Sequence, residues 1–78
     1  MKKIQIKLSS IEDVRNFVNV LGKYDIDMDL HSGRYTVDAK SLMGIFSLDL
    51  LNAIEFVIHS DDAAKTDAVL KDVKQFIV

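Results

Sequence analysis

Residues 3–8 alternate strictly, with Ile4, Ile6 and Leu8 on one side and Lys3, Gln5 and Lys7 on the other. A strand patterned this way has one dry face and one wet face, so the sheet it joins needs cover on one side only. The same two-residue period returns three times. Ile26, Met28 and Leu30 alternate with Asp27, Asp29 and His31; Tyr35 and Val37 with Thr36 and Asp38; Ile54, Phe56 and Ile58 with Glu55, Val57 and His59. Ser32-Gly33 supplies a turn between the second and third runs, which predicts a hairpin.

Between the strand patterns the period lengthens to that of helices. Ile11, Val14, Phe17, Val18 and Leu21 recur at three- and four-residue spacing behind Ser9-Ser10, with Glu12 and Asp13 in the first turn and Gly22 after the last apolar position. Capping serines, early acids and a closing glycine are the expected punctuation of a helix of about three turns. Ser41 opens a shorter apolar stretch, Leu42 to Leu48, interrupted by Gly44. Asp61-Asp62 then caps a closing helix that presents Thr66, Val69, Leu70, Val73, Phe76 and Ile77 on one face. The order is βαββαβα. We therefore expect an α+β fold, an open-faced sandwich in which a four-stranded antiparallel sheet carries three helices on one face and leaves the other wet.

Seventy-eight residues allow one small domain with one core, so residues 1–78 are read as a single unit. Ten basic residues against twelve acidic ones leave no surplus positive charge for neutralising phosphates, which argues against direct nucleic-acid binding. With no cysteine, disulfides, thiolate metal sites and cysteine nucleophiles are excluded together. Lys2 and Lys3 precede no continuous apolar segment and no run approaches a membrane span, so the expectation is a cytoplasmic protein without a signal peptide or membrane association.

Tests for chemical motifs return little. The strand-to-helix junction Leu8-Ser9-Ser10-Ile11 has neither the glycines nor the lysine of a phosphate loop. Asp25-Ile26-Asp27-Met28-Asp29 superficially resembles a calcium loop, but the sixth position is Leu30 where a glycine must turn the chain, and the twelfth is Thr36 where a bidentate glutamate is needed. The aspartates read as the wet side of a strand. His31 and His59, the two histidines, fall on the polar face, close enough in pattern to approach each other across the sheet but without a third ligand or an obvious orienting carboxylate. No metal or other cofactor is expected, and no enzyme activity.

One segment carries a family resemblance. Lys40-Ser41-Leu42-Met43-Gly44-Ile45-Phe46-Ser47-Leu48 is similar, without a gap, to the regulatory-serine segment Lys-Ser-Ile-Met-Gly-Val-Met-Ser-Leu of HPr, the histidine-containing phosphocarrier of the bacterial sugar phosphotransferase system, and of its regulatory paralogues. Lys23-Tyr24-Asp25, Leu30 and Val37-Asp38 fit the same register. In that family a histidine at the entrance of the first helix takes phosphate from the phosphoenolpyruvate-dependent first enzyme and passes it to sugar-specific subunits. The resemblance places this position at Ser10, and the family's His-Ala-Arg-Pro-Ala becomes Ser10-Ile11-Glu12-Asp13-Val14. The histidine, the phosphate-neutralising arginine and the proline are replaced by Ser10, Glu12 and Asp13. A carboxylate about 6 Å from a phosphoryl group repels each unit of its charge by roughly 2–3 kcal/mol at an effective dielectric near 20. A serine phosphoester also lacks the good leaving group that onward transfer requires.

The resemblance further implies that Ser41 is the candidate for phosphorylation by the HPr kinase, which makes family members co-effectors of a catabolite-control transcription factor. Ser41 also serves the plainer role of an N-cap. Leu42, Met43 and Phe46 match the family's apolar docking patch for phosphotransferase components and regulators, while Ile45 and Leu48 can supply the core contacts of the same short helix. The expectation is a non-catalytic HPr-like regulatory module acting through protein partners. Two alternatives stand beside it: a carrier phosphorylated on His31 or His59, and a homodimeric assembly protein that uses its open sheet or an edge strand.

Overall fold

The computed structural model describes residues 1–78 and follows the expected order: β1 (Lys2–Ile6), α1 (Ile11–Leu21), β2 (Asp27–Ser32), β3 (Tyr35–Asp38), α2 (Leu42–Phe46), β4 (Ile54–His59) and α3 (Ala63–Asp72), closed by a 3-10 turn over Lys74–Phe76. The four strands form one antiparallel sheet in the order β1-β4-β2-β3. β4, last in sequence, fills the gap between β1 and β2, so it pairs with both: Ile4 and Leu30 each face Phe56, and Lys2 and Met28 each face Ile58. Burying both edges of β4 is consistent with its composition, since Ile54, Phe56, Val57 and Ile58 are all at most 1% exposed.

The core lies between the sheet and the helices. Ile6, Leu30, Ile54, Phe56 and Ile58 from the strands meet Val14, Phe17 and Leu21 of α1, Ile45 of α2 and Val69 of α3. Phe17 is central: its ring stands edge-on to Phe56 (centroids 5.2 Å apart) and to Phe76 (5.6 Å), the arrangement that aromatic quadrupoles favour.

Two glycines are required where they stand. Gly33 turns the β2–β3 hairpin with φ +60°, a conformation that side chains with a Cβ adopt reluctantly. At Gly44 a Cβ would lie 3.2 Å from Val37 Cβ and 3.1 Å from Ser41 Oγ, so the glycine lets α2 settle onto β3.

Several expectations need correction. β1 ends at Ile6, although Leu8 beyond it is still fully buried. Ile11 is 65% exposed instead of joining the core, because it is the first residue of α1 and its side chain leans back past the helix end. Gly22 ends α1 as expected but keeps right-handed helical angles, its N–H bonded to Val18. Tyr35 is 65% exposed at the start of the edge strand. α3 stops at Asp72; Ile77 is extended and largely out of the core, bridging to Ile6. The face opposite the helices is not wet throughout, since Val57 is 1% exposed between its register partners Lys3 and Asp29. No helix is long and apolar enough to cross a membrane.

Because Phe17 joins α1 to β4 and to the C-terminal turn, Phe17→Ala should cost about 3–5 kcal/mol, close to the whole stability of so small a domain. Urea denaturation followed by circular dichroism measures this; a loss under ~1 kcal/mol would show that the aromatic trio is not the centre of the core.

Candidate functional site

The entrance of α1 is built from Ser9, Ser10 and Asp13. Ser10 has extended angles and its Oγ accepts from the Asp13 N–H at 3.1 Å, while the Asp13 carboxylate accepts from the Ser9 N–H at 2.9 Å. Ser10 thus caps one first-turn amide, while the Asp13 carboxylate ties down the Ser9 amide just ahead of the helix. Glu12 and Asp13 place two acids in the first turn. They stabilise the helix through its dipole and give the entrance a negative charge of its own. No imidazole is near: His31 and His59 lie on the face of the sheet opposite the helices, in register with Glu55 and Asp27.

That opposite face does bring the histidines together, through a carboxylate that sequence reasoning missed. His59 Nε2 is 2.7 Å from Asp29 Oδ2, and His31 Nε2 is 4.0 Å from the same oxygen. His31 Nδ1 is 4.0 Å from Glu55, and its Nε2 is buried without a hydrogen-bond partner. Asp29 shares a face with His31 by simple alternation, a signal present in the sequence. The placement of His59 beside it depends on the β2–β4 register, which is not. The group does not converge to a geometry that could hold a metal ion.

At the other helix entrance Ser41 is half-buried and extended. Its Oγ accepts from the Gly44 N–H at 3.1 Å and its carbonyl from the Ile45 N–H at 3.0 Å. The preceding Lys40 does not turn toward the Ser41 hydroxyl; its Nζ donates to the Tyr24 carbonyl at 2.5 Å. The Tyr24 hydroxyl in turn donates to Asp72, which also pairs with Lys23 at 2.9 Å. The hydrogen bond from Tyr24, then that from Lys23, holds the Asp72 carboxyl below the usual carboxylate range, and the same bond to Asp72 raises the Tyr24 phenol. The segment before Ser41 is thereby tied to the α1–β2 loop and to the end of α3.

Along α2, Met43 is 79% exposed and Phe46 39%, while Leu42 is half-buried and packs against the core. Ile45 and Leu48 are buried. Leu51, which the sequence reading left out, is 84% exposed, and its carbonyl accepts from Lys7 Nζ just ahead of α1. It was missed because it lies outside any periodic segment.

A family model described as the PTS HPr component phosphorylation site matches residues 13–77. The chain belongs to the HPr family. The matched residues include Ser41 and begin three positions after Ser10. Among solved structures, HPr from Thermoanaerobacter tengcongensis superposes with a TM-score of 0.76 at 24% identity, over 96% of this chain and 92% of that one. The phosphocarrier protein HPr from Bacillus anthracis gives 0.69 at 24% identity, over 99% and 94%. The catabolite repression protein Crh of Bacillus subtilis, solved as a swapped dimer, gives 0.65 at 18% identity, over 94% and 87%. These likenesses show the fold. HPr-family proteins are phosphocarriers rather than enzymes.

Two measurements probe the α2 entrance of this HPr-family chain. Ser41→Ala should cost about 1 kcal/mol through loss of the cap, whereas Ser41→Asp, which can still accept from Gly44, should cost less. Asp72 is lowered in the folded state, so its contribution to stability is present above the unfolded carboxyl pKa near 4 and is lost as pH falls below it. Asp72→Asn should therefore lower Tm at pH 7, with the difference from wild type closing toward pH 2; a pH-independent difference would mean that packing, not charge, is what the variant removes.

Proposed function

We propose that this HPr-family protein is a regulatory interaction module and not a phosphoryl relay. The observation that carries the reading is the acidic entrance of α1: Ser10, Glu12 and Asp13 occupy the positions that the sequence resemblance aligns with the family's histidine, arginine and proline, and they offer neither an imidazole nor a positive charge. An incoming phosphoryl group would face the carboxylates of both Glu12 and Asp13, which repel it. Carriage on a histidine elsewhere fits poorly, since His59 is held by Asp29 and both imidazoles lie across the sheet from the helices.

The docking surface in this reading is Met43 and Phe46, with Leu42 forming its half-buried base. Exposed methionine and aromatic side chains on a short rigid helix suit a protein partner that supplies an apolar pocket. Ser41 at the start of the same helix is the regulatory position. Phosphorylation would add about two negative charges beside the patch, changing which partners bind. Lys40 already donates to Tyr24, so the new charge would meet the helix amides before any lysine. The partners this reading favours are the HPr kinase, phosphotransferase components and a catabolite-control regulator, and Crh, whose name refers to catabolite repression, is the precedent in fold.

Intact-mass analysis after two parallel incubations tests the proposal: phosphoenolpyruvate with the first enzyme, and ATP with the HPr kinase. The expected outcome is one added phosphate with ATP alone, mapped to Ser41 and absent in Ser41→Ala. An acid-labile phosphate acquired from phosphoenolpyruvate on His31 or His59 would overturn it.

A further inference from the structure

The two edges of the sheet are treated differently. At the end of β1 the C-terminal segment covers the edge: Ile77 bridges to Ile6, the Lys7 N–H donates to the Phe76 carbonyl at 2.8 Å, and the Val78 N–H donates to the Gln5 carbonyl at 3.1 Å. Lys2, Lys3 and Lys7 guard it further. Covered backbone and lysines are the usual protections of an edge strand. β3 has neither. Tyr35–Asp38 contains no lysine or proline, its register with β2 runs without a bulge, and no segment of the chain lies along its outer side.

The hairpin fixes which backbone groups are free. Gly33-Arg34 is a two-residue turn, and Ser32 faces Tyr35 across it. In such a hairpin the flanking pair is hydrogen-bonded, so Tyr35 and Val37 aim their N–H and C=O at β2 while Thr36 aims both away. The Asp38 N–H also points outward, whereas its carbonyl already accepts from the Ser41 N–H at 3.0 Å and ends the ladder.

We propose that β3 pairs antiparallel with β3 of a second copy of this chain about a two-fold axis at Thr36, joining two four-stranded sheets edge to edge. The sequence of the strand is complementary to itself in that register and in few others. Thr36 faces Thr36, exchanging both backbone hydrogen bonds. Tyr35 faces Val37 on the helix-bearing side, where Tyr35 is 65% exposed in the single chain and Val37 already half-buried under α2. Arg34, the turn residue just ahead of the strand, comes alongside Asp38 twice, once on each side of the axis. Arg34 makes no ion pair within the chain, and Asp38 uses Oδ1 for the Lys40 N–H at 2.8 Å, leaving Oδ2 for a guanidinium. Threonine pairs, aromatic against β-branched residues and opposite charges are the three cross-strand combinations that stabilise antiparallel neighbours. A shift by two residues would break all three.

The contact is small, so association belongs to the range of weak interfaces. Sedimentation velocity from about 10 μM to about 1 mM should show a reversible monomer–dimer equilibrium. Arg34→Asp, which sets two acids opposite each other at both ends, should weaken the dimer by ~10-fold, and Arg34→Asp with Asp38→Arg should restore it. The chain has no cysteine, so Thr36→Cys should cross-link to itself with a short bismaleimide, whereas Lys2→Cys on β1 should not. A protein that stays monomeric over the whole range overturns the proposal. So does a dimer indifferent to Arg34→Asp, or one that cross-links at Lys2→Cys and not at Thr36→Cys, which is the pattern of a swapped or β1-paired assembly. Circular dichroism of each variant confirms that the fold is retained.

Discussion

Phe17 holds three parts of the molecule at one point. Its edge-on contacts with Phe56 and Phe76 fix α1 over the centre of β4 and fix the C-terminal turn against α1. Once those distances are set, little else is free. The C-terminal segment runs back to the end of β1, where Ile77 bridges Ile6, and the start of α1 leaves Ser10 and Glu12 exposed and Asp13 half-buried. A domain this small cannot bury enough area to tolerate a loose centre, so packing quality at a few large side chains decides its stability.

The two helix entrances share a physical device and differ in charge. Both are capped by a serine oxygen accepting from the third residue on, Ser10 from Asp13 and Ser41 from Gly44. At α1 the Asp13 carboxylate also binds the Ser9 amide, and Glu12 and Asp13 give the terminus a negative charge of its own. At α2 no acid stands in the first turn. Its flanking Lys40 is engaged by Tyr24, within a chain of contacts that reaches Asp72 at the end of α3. The first entrance is thus acidic, while the second carries a serine hydroxyl beside exposed apolar side chains.

The open face of the sheet is more organised than a solvent face needs to be. Val57 is buried there without a helix above it, and Asp29 sits between two imidazoles. The central strand β4 imposes this. With neighbours on both edges, its outward side chains are shielded by the rows from β1 and β2, so even the wet face has a dry middle.

Much of this protein is determined by its sequence alone. Two-residue alternation marks the four strands and three- or four-residue spacing marks the helices, because each period is the geometry of one backbone conformation; Ser10, Ser41 and Asp62 cap where short polar side chains must. The unbroken run from Lys40 to Leu48 was enough to indicate the family. What only tertiary structure decided is which residues meet across long separations. The insertion of β4 between β1 and β2 brought His59 to Asp29, and Tyr24 reached Asp72 across the packed helices. The exposure of Ile11, Tyr35 and Leu51 was likewise invisible, because local patterning says that a residue is apolar but not whether another element arrives to cover it. Long-range pairing depends on how all the elements share one core, and no single stretch of sequence carries that information.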